Sequence, residues 1–161
     1  MEIEMKIRGL MVDPSTNAPI VILKDVQGDT VLPIWVGLYE ANAIALEVEK
    51  ATTPRPMTHD LLKNVVQGLN ASLQRVVVTE LKDDTFYAVL WLEQDGETIT
   101  IDCRPSDALA LALRADCPIY VNEEVLRVAK VIPNPADQAT QEELRRWLEN
   151  LNDEDLGRYK M

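Results

Sequence analysis

The sequence predicts an α+β domain made of two β-β-β-α halves with a helix between them, and three observations carry that prediction. Two stretches 67 positions apart follow one design: Ile34-Trp35-Val36-Gly37-Leu38-Tyr39-Glu40-Ala41-Asn42-Ala43-Ile44-Ala45 lies over Ile101-Asp102-Cys103-Arg104-Pro105-Ser106-Asp107-Ala108-Leu109-Ala110-Leu111-Ala112. In each, a strand runs into an alanine-rich helix whose inward stripe keeps the same offset, Ala41, Ile44, Ala45 and Val48 in one copy and Ala108, Leu111, Ala112 and Ala115 in the other. The strand-like runs ahead of each helix are joined by turns of a few residues, the spacing of antiparallel hairpins rather than of parallel crossovers. Finally, a chain of 161 residues that is 47% apolar can bury one sizeable core, and no Gly/Ser/Pro tract is long enough to divide it. The two halves read as an internal duplication.

In chain order, residues 2–12 alternate, with Ile3, Met5 and Ile7 on one side and Glu2, Glu4, Lys6 and Arg8 on the other, until the apolar set shifts to Leu10 and Val12. A β-bulge at Gly9 explains the shift. A turn over residues 14–19 leads to a buried strand at 20–24, a hairpin turn at Gln27-Gly28-Asp29, and a third strand at 30–36. Pro33 has no N–H to give a ladder and places that strand at an edge or an irregularity. Between the halves, Thr58 is the expected N-cap of a helix with Leu61, Leu62, Val65, Val66 and Leu69 on one stripe and Met57 and Leu62 as its hydrophobic staple. The second half repeats the order: strands at 73–81, 85–93 and 97–103, with turns at Lys82-Asp83-Asp84 and Asp95-Gly96. Phe86 to Leu92 is apolar on both faces and reads as a central strand. Residues 118–121 add a short strand, and Asn122 caps a helix to about Ala129. Pro133-Asn134-Pro135 closes the compact domain, residues 1–132, and residues 133–161 form a tail helix with a Thr140/Glu143 capping box and a stripe of Leu144, Trp147, Leu148 and Leu151.

Charge and composition remove several function classes. A net charge of −11 repels polyanions at long range, so contact with phosphate needs a local cation cluster or bound divalent ions. Two cysteines and one histidine lack paired zinc-ligand spacing, and the thiols Cys103 and Cys117 read as buried and reduced. No apolar run is long enough to span a bilayer, and Met1-Glu2-Ile3-Glu4 has no secretory character, so a cytoplasmic location without membrane contact is expected. No phosphate-cradling glycine loop or nucleophile elbow is present.

Arg55-Pro56-Met57-Thr58-His59-Asp60-Leu61 and Ile101-Asp102-Cys103-Arg104-Pro105-Ser106-Asp107-Ala108 resemble the signature segments of the bifunctional nuclease domain family, as do the Glu40-Ala41 helix start and Pro118-Ile119-Tyr120-Val121. The resemblance covers roughly residues 3–130 and leaves out the tail. It implies an α+β domain, a homodimer, and cleavage of DNA and RNA. Cys103 stands where the family pattern commonly has alanine.

Cleaving a phosphodiester needs an activated water, stabilisation of the phosphorane oxygens and an exit for the leaving oxygen, which carboxylates with a divalent cation can supply. Asp102 and Asp107, with Glu40 from the matching junction, are the expected ligands of Mg²⁺ or Mn²⁺. His59, the one histidine of the chain, is the proton carrier beside catalytic Asp102 and Asp107. Arg55, Arg104 and Ser106 face the substrate. Each also has a structural reading. Glu40, Asp60 and Asp107 sit in first helical turns, where a carboxylate stabilises by about 0.3 to 1 kcal/mol with no ligand. Asp102 can instead pair with Arg104 or cap a helix, and His59 can be an ordinary helix-start residue. The functional expectation is a metal-assisted nuclease acting on nucleic acid; the rival is a non-enzymatic regulatory or assembly module that binds a small anion or a protein partner, with the tail helix docking.

Overall fold

The computed structural model describes residues 1–131 of the chain. The expected tail helix, with its capping box and apolar stripe, lies outside the described residues. Eleven elements follow in the order β1 (Glu2–Val12), β2 (Pro19–Asp25), β3 (Val31–Trp35), α1 (Leu38–Val48), α2 (Thr58–Gly68), β4 (Ala71–Lys82), β5 (Thr85–Gln94), β6 (Glu97–Cys103), α3 (Pro105–Ala115), β7 (Ile119–Asn122) and α4 (Glu123–Val131). The order β-β-β-α occurs twice, with α2 between.

The two hairpin sets join in one seven-stranded sheet, β3-β2-β1-β7-β4-β5-β6, rather than in two half-sheets. Strand β7 is the seam: it pairs antiparallel with β1 and parallel with β4, the one parallel pairing among the described residues. Local chemistry accounts for the connections. The register of β1 on β2 slips between Ile7 and Gly9, which is the bulge that moves the apolar set. Strand β3, with Pro33 paired to Ile22, forms one edge. Two-residue turns at Asp83-Asp84 (φ 52° and 58°) and Asp95-Gly96 (φ 52° and 79°) have the left-handed backbone whose twist matches the flanking strands. β5 does lie between two strands, though next to the edge strand β6.

The core forms on one face of the sheet, where Met5, Leu23, Ile34, Val76, Val78, Ala88 and Val121 meet Ala41, Ile44 and Ala45 of α1 and Ala108, Leu109 and Ala112 of α3. The small residues of α1 and α3 let the two helices lie close together on the strands. α4 adds Val125 and Leu126, and Asn122 Oδ1 caps it through the Glu124 N–H at 3.1 Å.

Helix α2 departs from expectation at its start. It begins one residue early: Thr58 is already helical, Met57 holds the N-cap position, and Asp60 Oδ2 accepts from the Met57 N–H at 2.9 Å. Its apolar stripe is not in the core, for Leu61, Leu62, Val65 and Leu69 are all exposed and His59 is the only buried residue of the helix. Polar contacts made from its first turn to α3 set which side faces inward.

Candidate functional site

The starts of α1, α2 and α3 meet over the core, each for a local reason. α1 starts at Gly37, where a Cβ would run into Glu40 Oε2, so glycine leaves the room that lets the Glu40 side chain fold back over its helix start. α3 starts at Arg104 with Pro105 as its first residue, a ring pre-set for a helical first turn. α2 follows the Pro54-Arg55-Pro56 segment.

Four polar side chains from these three starts form one connected cluster. His59 Nε2 lies 2.9 Å from Asp107 Oδ1. Arg104 donates from Nε to Asp107 Oδ2 at 2.9 Å and from Nη2 to Asp107 Oδ1 at 3.3 Å, a fork on one carboxylate, and from Nη1 to Glu40 Oε1 at 2.9 Å. The gradient of exposure matters: the His59 side chain is 11% exposed and Arg104 is 65% exposed, so the cluster runs from the core to solvent. A guanidinium has five N–H donors, of which the three contacts use three, leaving two on the open edge. Burial pushes the Asp107 carboxyl toward a higher pKa, but the hydrogen bonds from Arg104 and His59 outweigh it and hold the group below the usual carboxylate value. The same contacts, Asp107 first and then Glu40, raise Arg104 further.

Behind this cluster lies a second one that sequence reasoning missed. Arg114 is buried, with its side chain 3% exposed, and its three nitrogens are all engaged: Nε with Asp60 Oδ1 at 2.7 Å, Nη1 with the Ala110 carbonyl at 2.8 Å, and Nη2 with the Ala43 carbonyl at 3.0 Å. One guanidinium thus ties α1, α2 and α3 together. Burial alone would raise the Asp60 pKa, yet the Met57 N–H and Arg114 more than offset it and the carboxyl is lowered. His59–Asp107 and Asp60–Arg114 are two rungs of a ladder between α2 and α3, seven residues apart on α3 and therefore on one helix face. A lone arginine seven positions after Asp107 in an otherwise apolar helix was the available signal.

Asp102 does not join the cluster. It pairs with Val89, which pairs with Val77, which pairs with Tyr120. Its neighbour Cys103 pairs with Ala88 and packs on the core, so the pleat turns Asp102 to the face of the sheet away from the helices, together with Thr98 and Thr100. Nor does Asp102 pair with Arg104, whose partners are Asp107 and Glu40. Arg55 is exposed and shares the approach to α2, its carbonyl accepting from Thr53 Oγ1 at 2.8 Å. Ser106 is buried, 5% exposed, in the first turn of α3. The Asn42 Oδ1 atom, on α1, is buried without a hydrogen-bond partner among the described residues.

The donors present do not fit a divalent ion as they stand. Among the described residues no three His, Cys, Asp or Glu side chains are placed to share one, and Asp107 gives both oxygens and Glu40 its Oε1 to Arg104. Neither thiol is free to act in their place. Burial, with Asp107 and Asp102 nearby, pushes Cys103 from 9.0 to about 12, and burial pushes Cys117 from 9.0 to about 11. Folded-state values above the unfolded ones mean a stability contribution that is whole below pH 9 and is lost as pH rises toward those folded values. Urea denaturation at rising pH should therefore show a falling midpoint above pH 9, and a Cys103→Ala, Cys117→Ala variant should show a smaller fall. Equal slopes in the two proteins would contradict the assignment.

Comparison with known proteins gives the site its context. The bifunctional nuclease domain model matches residues 21–134. The chain belongs to the bifunctional nuclease domain family. An uncharacterized protein of Mycobacterium tuberculosis is 42% identical over 136 residues, covering 84% of this chain and 81% of that one. Bifunctional nuclease 1 of Oryza sativa subsp. japonica is 29% identical over 116 residues, 70% of this chain and 35% of the rice protein. Bifunctional nuclease 1 of Arabidopsis thaliana is 29% identical over 109 residues, 65% and 34% of the two chains. The chain thus spans about a third of these plant proteins. No helix among the described residues of this family member is long and apolar enough to cross a membrane.

Proposed function

We propose that the protein is a nuclease that cleaves the phosphodiester bonds of DNA, RNA or both at the His59–Asp107–Arg104–Glu40 cluster. The observation that carries this reading is the half-open arginine, held on two carboxylates with its remaining donors toward solvent, beside an imidazole oriented by one of those carboxylates. A phosphodiester oxygen pair fits the two free N–H groups of Arg104, and the guanidinium charge stabilises the phosphorane. His59, with Nε2 on Asp107, has Nδ1 left to take the proton from an attacking water. The new P–O bond forms as the leaving oxygen departs, and that oxygen takes a proton from solvent. Arg55, exposed on its proline-flanked segment, adds a phosphate contact on the approach. Plant relatives named as bifunctional nucleases support the substrate class.

The test is turnover of a labelled oligonucleotide. Arg104→Lys should keep the charge and lose the fork, raising KM roughly tenfold, the worth of about 1.4 kcal/mol of lost contact. A KM equal to that of the unsubstituted protein would remove Arg104 from the substrate. Assistance by Mg²⁺ or Mn²⁺ is a separate proposal, read by the same assay with and without chelator: retained turnover in chelator would dismiss it. The roles of His59 and Arg104 do not depend on it.

Two coarser proposals complete the reading. The repeated order of elements supports an internal duplication of the scaffold. The exposed stripe of α2, with Leu61, Val65 and Leu69 in line, favours self-association as a homodimer. Light scattering should give twice the monomer mass, and a monomer at micromolar concentration would end that proposal.

A further inference from the structure

We propose that a cleft on the far side of the sheet, built from Lys6, Arg8 and Lys24, is a second nucleic-acid contact that holds the backbone of a single strand away from the cleaving cluster. The cleft is about 550 Å³ and lies between β1 and the β2–β3 hairpin turn. Its polar lining comes from the sheet pleat: Met5 and Leu23 face the core, so Lys6 and Lys24 face the other way.

The placement of these cations runs against stability. Lys6 and Lys24 are direct cross-strand partners, and like charges so placed repel. Arg8 follows two residues after Lys6 and also lines the cleft. No ion pair or side-chain hydrogen bond is made by any of the three among the described residues, although the chain carries 27 acidic residues from which partners could come. Arg75, Arg104, Arg114 and Arg127 are paired, whereas Arg55, Lys50, Lys63 and Lys82 share the unpaired state among the described residues; what sets Lys6, Arg8 and Lys24 apart is that they line one cleft together. Two carboxylates share the lining. Asp25 turns back to accept the Gln27 N–H at 2.8 Å, and Asp29 stands at the tip of the turn. Glu4, one same-face position back along β1 and opposite Tyr120, bounds the patch.

An arrangement that costs stability, with Lys6 and Arg8 exposed and Lys24 half-buried, suits an anion that arrives from outside. At physiological salt the Debye length is about 8 Å, so the protein's distant negative charge is screened and the lining itself, three cations against Asp25 and Asp29, leaves a net charge of +1 in the cleft. Three cations along two adjacent strands match a run of phosphates better than a single one, which favours a polymer. The identification of that polymer as nucleic acid rests on the nuclease reading; the existence of the site does not.

The test reads binding and needs no turnover. Fluorescence anisotropy with a short fluorescein-labelled single-stranded oligodeoxynucleotide is measured in the full chain carrying His59→Ala, so that the probe is not consumed. Lys6→Glu with Arg8→Glu should weaken binding at least tenfold and reduce the slope of log K against log salt by about 2. Lys82→Glu, the same change on the distant β4–β5 turn, should alter neither. Lys6→Glu alone should raise the melting temperature while it weakens binding, because it turns a repelling cross-strand pair into an attracting one. Unchanged affinity and salt slope in the double variant overturn the proposal, as does the lack of any oligonucleotide binding by the His59→Ala protein. Failure of the nuclease reading would look different: the oligonucleotide would bind through the cleft and never be cut, even by the protein with His59 in place.

Discussion

Replacing His59 with alanine is expected to lower cleavage by about 10²- to 10⁴-fold, the range removed with a general acid or base, while the fold persists. The expectation follows from position. His59 is held by one hydrogen bond at Nε2, and the Asp60–Arg114 pair still ties the helix start to α3 when it is lost. Asp107→Asn is the companion variant. It keeps the size of the side chain but removes the charge that both orients the imidazole and grips Arg104, so it should cost at least as much as His59→Ala. Circular dichroism on both variants separates chemistry from unfolding. A His59→Ala protein that cuts nucleic acid at the unsubstituted rate would remove the imidazole from the reaction.

The largest effect on stability is expected at Arg114. Its guanidinium satisfies Asp60 and two main-chain carbonyls in a nearly solvent-free position. Arg114→Ala strands all three, and breaking a buried pair from one side costs roughly 3 kcal/mol or more. For a chain of this size that lowers the melting temperature by about 10 °C. Adding Asp60→Asn to Arg114→Ala should recover part of the loss, because the unpaired charge goes while the side-chain oxygen can still accept from the Met57 N–H. A double variant no more stable than Arg114→Ala alone would show that the carbonyls, not the ion pair, carry the cost. Since the same guanidinium joins α1 to α2 and α3, the variant should also loosen the cluster around Asp107.

The strands and most helix ends were legible because they depend on neighbours in the chain: glycine at the bulge, left-handed aspartates at the turns, proline at an edge, Asn122 at a cap. The single sheet was not legible. It depends on β7 pairing with both β1 and β4, a long-range choice that no local pattern encodes. Helix α2 illustrates the limit differently. Its hydrophobic period gave one apolar stripe and no account of what covers it; two polar rungs to α3 orient the helix and leave Leu61, Val65 and Leu69 outside.

At the site, the first-turn position of Glu40 and Asp107 could be read from the repeated junction, and so could the nearness of Arg104. The meeting of His59 with Asp107, 48 residues away, comes from packing of α2 on α3. Asp102 was expected beside Asp107 because strand end and helix start adjoin in sequence; the two-residue period of the strand turns it to the other face. The register already implied this, since Cys103 was the position able to pack inward.

Single-turnover cleavage of one oligonucleotide by Asp107→Asn and Asp102→Asn, side by side, bears most directly on the placement of the reaction on the helix side of the sheet. Asp107→Asn should lose about two orders of magnitude or more, with Asp102→Asn within a fewfold of the unsubstituted protein. Collapse of the Asp102→Asn protein with Asp107→Asn still active would contradict that placement and move the chemistry to the opposite face.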